Sequence, residues 1–379
     1  MKKKNLLLWG YYGANNFGDD LIFESLIQIL DLHSQKFNLF YTIKNKEYKY
    51  NLDAQPLIFF DKKHKNKRIN FLLNTWFVLK TAFKMDIIII GGGTQYFELD
   101  TRKPISIAIK YMVCCIMKLR GKKFINAGVG IGEVHSKIGL FCLKNIFSKA
   151  SYSFVRDQQS KKFLIRIGVP ENKVILGEDL SYYAPIFSQN DSLKNPKKIG
   201  LNFFDYFNYI IHDNEKNEHF IKDLKNFVQW LKHEKGLEPH FFAFQKETGG
   251  KDYLFIKKHF STIDAPIHIY QSNINDFIHL IKSMDLNVGM RYHFAVLSLQ
   301  HQIPFVGLNY QPKVRRELVH FGLEDFVLEM EETPLLHEKL DNMLCSFEEH
   351  KKRIKNHFNQ NNNPIKHSPV EQLLDSIDG

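Results

Sequence analysis

The sequence predicts an α/β protein with two Rossmann-like domains facing a cleft, and three observations carry that expectation. At 379 residues the chain is too long for one compact core and suits two domains of similar size. Short, uniformly apolar strands alternate with amphipathic helices across both halves, the pattern of parallel sheets covered on both faces. Between them lies "YAPIFSQNDSLKNPK" (183–197), polar and proline-punctuated, the best linker in the chain. The expected boundaries are 1–184 for an N-terminal domain, 185–196 for the linker, and 197–379 for a C-terminal domain with a helical tail.

In the first half "NLLLW" leads through "GYYGANNFGDD" into a helix from about Asp19 to Leu30. "MDIIII" leads through "GGGTQYFE" to a helix spanning Ile105 to Leu119, and "KKFINA" through "GVGIGE" to one near Lys137 to Ser148. "ASYSFV" ends at Arg156–Asp157 ahead of a helix through Ile165. After the linker come "KKIGLNFF", a helix around Ile221–His233, "PHFFAF", a helix near Asp252, "PIHIY", a helix at Ile274–Lys282, "DLNVG" and "IPFVGLNY". The charged tail from Glu331 onward reads as helical, with an asparagine-rich break at 358–363. Ligands of open α/β sheets bind at the carboxyl ends of the strands, so the turns following them are where chemistry is sought.

Composition narrows the function classes. The formal charge of +11 favours phosphorylated substrates, nucleic acid or an anionic bilayer, although the basic residues are dispersed and no nucleic-acid recognition motif occurs. Cys114, Cys115, Cys142 and Cys345 show no metal or disulfide spacing and suit reduced cytosolic thiols. No apolar run reaches the length of a spanning helix, and "ISIAIKYMVCCIM" is interrupted by Lys110. "KKHKNKRINFLLNTWFVLKTAFK" (62–84) sets basic residues ahead of a helix bearing Trp76, Phe77 and Phe83. It reads either as a core-facing helix with a solvated basic loop or as a helix lying on an anionic leaflet.

The glycine-rich turns allow close backbone approach, and N–H groups at a helix start bind anions; Gly92, Gly93 and Thr94 follow the four-isoleucine strand in this way. "GVGIG" lacks the spacing of a dinucleotide fingerprint and "GGGT" the lysine of a phosphate-cradling P-loop. Asp19 and Asp20 fit a helix cap better than a metal site. His135, His212 and His219 read as exposed loop residues, and Arg156–Asp157 as a structural pair with Asp157 capping a helix. "NVGMRYHF" (287–294) places Arg291 and His293 at a strand-to-helix turn. Arginine offers a rigid charged fork for phosphate or carboxylate, and histidine exchanges protons near neutral pH. The plain alternative is that Arg291 pairs with a carboxylate and His293 packs against the sheet.

"GYYGANNFGDD", "IIIIGGGTQ", "NAGVGIG", "SFVRDQQSKKFLIRIGVPENKVILGED" and "GMRYHFAVLSLQHQIPFVGLNYQPKV", in that order, resemble the polysaccharide pyruvyl transferases over most of residues 5–316. That resemblance implies a two-domain fold like the GT-B glycosyltransferases. It also implies transfer of a pyruvyl group from phosphoenolpyruvate to two hydroxyls of a sugar, in a polysaccharide or its lipid-linked precursor, with a cyclic ketal and phosphate as products and no metal or redox cofactor. The family's essential arginine and histidine fall on Arg291 and His293. Tyr310 and Lys313 in "YQPKV" join them as substrate-binding candidates, with Asn16, Gly92, Gly93, Thr94 and Gly130 from the N-terminal loops. Tyr292 stands where leucine is common, and Asp20 where glutamate is. The resemblance further implies a cytoplasmic protein, with peripheral contact at the inner face of a membrane left open. The rival reading is a GT-B glycosyltransferase using a nucleotide sugar.

Overall fold

A computed structural model describes residues 3–31, 37–44, 54–58, 66–98, 104–183, 196–246, 252–360 and 369–378. The 185–196 linker, apart from Pro196, lies outside the described residues, as does the basic run 62–65. The described chain forms two compact units, each built on a parallel sheet of Rossmann type.

In the first unit the elements are β1 (Lys4–Trp9), α1 (Phe17–Asp31), β2 (Phe37–Thr42), β3 (Gln55–Leu57), α2 (Lys67–Ala82), β4 (Ile87–Gly91), β5 (Thr94–Tyr96), α3 (Ile105–Leu119), β6 (Lys123–Ile131), α4 (Lys137–Lys149), β7 (Tyr152–Val155), α5 (Gln158–Arg166) and β8 (Ile175–Leu176). The sheet order is β3-β2-β1-β4-β6-β7-β8, with β5 paired to β6. Strand side chains alternate between faces, so the isoleucine run of β4 divides cleanly. Ile88 and Ile90 join one core with residues of α2, α3, α4 and α5; Ile87 and Ile89 join the other with α1. Both faces are covered, which is why the strand is apolar without interruption.

The second unit contains β9 (Lys198–Asn202), α6 (Asn214–His233), β10 (Glu238–Ala243), α7 (Asp252–Phe260), β11 (Ile267–Ile269), α8 (Ile274–Lys282), β12 (Leu286–Gly289), α9 (Tyr292–Gln300), β13 (Phe305–Asn309), α10 (Pro312–His320), β14 (Val327–Glu329), α11 (Leu336–Cys345) and α12 (Phe347–Gln360). Its strands run in the order β11-β10-β9-β12-β13-β14, all parallel.

Two segments pack away from where the sequence boundaries put them. The last helix, α13 (Pro369–Asp378), belongs to the first unit, not to the C-terminal domain. Val370, Leu373 and Ile377 complete the core that α1 only partly covers. The Tyr152 hydroxyl donates to the Pro369 carbonyl (2.7 Å), and Lys123 Nζ donates to the Ser376 carbonyl (2.7 Å), a cation at the negative end of the helix. Conversely, Asn15–Gly18 packs with the second unit although it precedes most of the first. Among the described residues no helix is long and apolar enough to cross a membrane.

Leu373 is fully buried, so Leu373→Ala should cost roughly 2–5 kcal/mol, read as a lower urea midpoint. The second unit should also be acid-sensitive. Burial, reinforced by the charges of Lys282 and His279, lowers the His301 pKa to about 4, and burial with Arg353 lowers that of His350 to about 3. The unfolded chain, with histidine near about 6.5, therefore binds more protons than the folded one as pH falls. The stability from keeping these rings neutral is complete above that value and is lost progressively on the way down to the folded pKa values. His350→Leu should flatten the dependence of the urea midpoint on pH between neutrality and pH 5; an unchanged slope would contradict this assignment.

Candidate functional site

In the second unit, β12 ends at Gly289 and the chain turns so that Arg291 caps α9 in extended conformation, φ −73° and ψ 130°. The Arg291 guanidinium does not point into open space. Its Nε donates to Asp252 Oδ2 (3.1 Å) and its Nη2 to Asp252 Oδ1 (2.6 Å) and Gln245 Oε1 (3.1 Å). Asp252 is fully buried at the start of α7, and the Arg291 side chain is 15% exposed. The plain alternative thus describes this contact of Arg291: its Nε and Nη2 are engaged by a carboxylate and an amide oxygen. Burial alone would lower the Arg291 pKa, but the Asp252 carboxylate, with Tyr310 as a further hydrogen-bond partner, holds it above its ordinary value. The guanidinium also lies over the Phe204 ring, 4.7 Å from its centroid.

Backbone contacts tie the same network to the strand ends. Asn202, the last residue of β9, accepts from Arg291 N (3.0 Å), and its amide donates to the Phe242 carbonyl (2.8 Å). Phe244 N donates to Asp252 Oδ2 (3.0 Å). The C-terminal ends of β9, β10 and β12 are therefore joined through one ion pair.

Asn16 comes to this place as well, contrary to its assignment among N-terminal domain loops. It forms an antiparallel bridge with Gln245, the residue that accepts from Arg291. Phe17 N donates to the Phe244 carbonyl (3.2 Å), and the Phe17 ring is held among Phe244, Tyr270 and Phe277 at centroid distances of 5.0–5.2 Å. Gly18 is glycine for a steric reason: a Cβ there would collide with the His293 imidazole. His293, in the first turn of α9, thus rests on the Gly18 backbone, edge-on to Tyr292. Lys313, in the first turn of α10, holds its ammonium 5.6 Å from the Tyr292 ring centroid and 6.0 Å from that of Tyr310. Asn16, Arg291, His293, Tyr310 and Lys313 accordingly gather in one unit.

Gly92, Gly93, Thr94 and Gly130 gather in the other, but not as a helix-start anion site. The turn feeds the short strand β5 instead, and Gly92 N donates to the Ala127 carbonyl (2.8 Å) while Gly130 N donates to that of Gly93 (2.7 Å). Both glycine N–H groups serve the fold. Strand β6 runs through "GVGI" rather than ending before it, with an irregular register between Asn126 and Val129 and Gly128 at φ +60°. Glycine at 130 leaves room for Arg156, whose Nε would lie 2.8 Å from a Cβ there. Arg156 Nη1 donates to the buried carboxylate of Asp179 (2.7 Å) and Nη2 to Thr94 Oγ1 (3.1 Å). Sequence reasoning set Arg156 aside as structural, yet its guanidinium touches two of the predicted site residues. The "VRD" turn after an apolar strand was the available signal.

Other expectations resolve locally. Asp20 is buried in the first turn of α1, where an acidic residue favours the helix's positive end, and it also accepts from Gly13 N (2.8 Å), closing the preceding loop. Asp157 caps α5 by accepting from Ser160 N (2.8 Å). His135 is exposed beside Glu133 (3.4 Å). Among the described residues no cluster of three or more His, Cys, Asp or Glu could hold a metal ion.

A family model described as polysaccharide pyruvyl transferase matches residues 16–312. No curated protein matches by sequence. Among solved structures, the chain is similar to Anabaena Alr3699/HepE in complex with UDP and glucose, at TM-score 0.61 and 12% identity over 99% of this chain and 100% of that one. It is similarly close to a putative UDP-N-acetylglucosamine 2-epimerase from Listeria monocytogenes, at TM-score 0.61 and 12% identity over 100% and 96%. The Neisseria meningitidis UDP-GlcNAc 2-epimerase bound to UDP-GlcNAc gives TM-score 0.61 and 12% identity over 99% of each chain. At such identity the likeness is one of fold, two Rossmann-like domains of GT-B type.

Truncating one partner of a buried ion pair strands the other. Arg291→Ala or Asp252→Ala should each cost roughly 3–5 kcal/mol, while Arg291→Met with Asp252→Leu should recover much of that. Urea unfolding decides it; single variants as stable as wild type would show that the pair does not hold these strand ends.

Proposed function

Because the chain belongs to the polysaccharide pyruvyl transferase family, we propose that it transfers the pyruvyl group of phosphoenolpyruvate to two hydroxyls of one sugar, forming a cyclic ketal. The gathering of Asn16, Arg291, His293, Tyr310 and Lys313 at strand ends of the second unit is the observation that supports this reading most. Phosphoenolpyruvate carries a phosphate and a carboxylate, so its site needs cations and backbone donors. In our reading Lys313 and the N-termini of α9 and α10 take the anionic groups, since helix starts favour negative charge. Arg291, committed to Asp252, fixes the turn and adds positive field rather than serving as a direct clamp.

His293 is the proposed acid. Its imidazolium gives a proton to the methylene carbon, converting it to a methyl group, while a sugar hydroxyl adds to the adjacent carbon and releases its own proton. A second hydroxyl on the same sugar then displaces inorganic phosphate at that carbon and loses its proton in turn. The two hydroxyl protons balance the one placed on carbon and the one that leaves with phosphate. Positioned donors stabilise the charge growing on the departing phosphate. The chemistry needs no redox cofactor and no metal. The acceptor in this reading is a sugar of a polysaccharide or of its lipid-linked precursor.

The rival glycosyltransferase reading asks for an acidic residue at a strand end to hold a ribose. Glu329, at the end of β14, is instead bonded to Asn309 Nδ2 (2.9 Å) and Arg315 Nη2 (2.6 Å). Scanning fluorimetry with phosphoenolpyruvate beside UDP separates the two. A ligand at 100 times its dissociation constant stabilises the native state by about 2.7 kcal/mol. We expect a shift with phosphoenolpyruvate, weakened in Lys313→Ala. His293→Ala should keep the shift yet release phosphate roughly 10²–10⁴-fold more slowly with an acceptor present. A shift with UDP and none with phosphoenolpyruvate would replace this proposal with nucleotide-sugar chemistry.

A further inference from the structure

Helix α2 is built inside out. Its core-facing side buries Asn74, Val78, Thr81 and Ala82 and packs the half-buried Leu79 against the core, modest apolar bulk for a helix of this length. Its outward stripe, at helical spacing, reads Ile69, Leu72, Leu73, Trp76, Lys80 and Phe83. Leu72 is 64% exposed and Trp76 60%. An ordinary surface helix turns its larger apolar residues to the core, and this one turns most of them to solvent.

The neighbouring helices bury large apolar residues in the core but expose others beside this stripe. α2, α3 and α4 pack side by side against the same core of the first unit. α3 shows Ile105, Met112 and Leu119 outward, the last 87% exposed, and α4 shows Ile138 and Phe141, the latter 57% exposed. The result is a run of exposed apolar side chains across three adjacent helices, the kind of patch that marks an interaction surface. Charge then selects the partner. None of the three helices contains an aspartate or glutamate, while all carry lysine or arginine. In sequence, "KKHK" (62–65) leads into α2. A groove of about 260 Å³ opens beside Trp76, with Lys80 and Lys84 at its rim.

We propose that this face docks onto an anionic phospholipid bilayer, the apolar stripes entering the boundary of headgroups and acyl chains and the lysines meeting lipid phosphates. Bulky apolar side chains, an aromatic among them, on helices that carry cations and no carboxylate match both parts of such a surface. A second copy of the chain is the poorer occupant, because a two-fold contact would set this uniformly basic face against itself. The proposal stands on the first unit's surface alone and does not depend on the chemistry assigned above.

The test is co-sedimentation of the full chain with vesicles of phosphatidylcholine alone or with one-third phosphatidylglycerol. Binding is expected only to the anionic vesicles. Leu72→Glu or Trp76→Glu should reduce it by roughly tenfold or more, and each of Lys80→Gln and Lys84→Gln by about fivefold. These side chains are exposed, so the variants should melt as wild type does. Brominated lipids should quench tryptophan fluorescence in the wild type and much less in Trp76→Phe, which keeps the apolar surface. Absence of binding to anionic vesicles, or binding indifferent to Trp76→Glu, would overturn the proposal. So would a dimer, seen by light scattering, that Trp76→Glu splits while vesicles bind neither form.

Discussion

The Arg291–Asp252 ion pair is the contact on which the second unit's strand ends depend. A guanidinium and a carboxylate this well buried are tolerated because nearly every polar atom involved is answered. Asp252 accepts from Arg291 and from Phe244 N, while Gln245, Asn202 and Tyr310 attend the arginine or its backbone. A pair of this type contributes little net stability over an apolar substitute. What it contributes is position. It sets where β12 stops and α9 starts, and hence where His293 stands against Gly18 and where Tyr310 meets the arginine.

A second arginine organises the first unit by a related device. Arg156 leaves its strand end, bonds the buried Asp179, and lies across Gly130 to reach Thr94. The glycines there make room for a side chain and accommodate the irregular pairing of β6. The backbone donors of Gly92 and Gly130 are spent on neighbouring backbone carbonyls. In both units a charged side chain anchored to a buried carboxylate lies at the carboxyl end of a strand, the edge at which open α/β folds bind ligands.

The α2–α4 layer shows what happens when one helix face must answer to two neighbours. Its inner side closes the core, with bulky residues from α3 and α4 and mostly smaller ones from α2, and its outer side keeps bulky apolar residues in solvent. Burying them elsewhere would be worth about 25 cal/mol per Å², so their exposure is a cost to the isolated chain. A lipid-facing role for the layer gives that cost a purpose, and the absence of carboxylates from all three helices accords with it.

Much of the fold was legible in the sequence because apolar runs and helical periodicity are local. α3 and α8 begin and end where the periodicity places them, and the four isoleucines of β4 announce a strand buried on both faces. The R-x-H turn was legible for the same reason, as a strand, a glycine and a helix start in immediate succession. What only the tertiary structure decided are pairings that cross long stretches of chain. Nothing local to "KDYLF" marks Asp252 as the partner of Arg291, and nothing in "RDQQ" places Arg156 on Gly130. The sequence reading put Asn16 with the first unit and the tail with the second, and the fold reverses both. Those outcomes are set by which buried charge finds a counter-ion and which sheet face still lacks cover, quantities that exist only once the chain has folded.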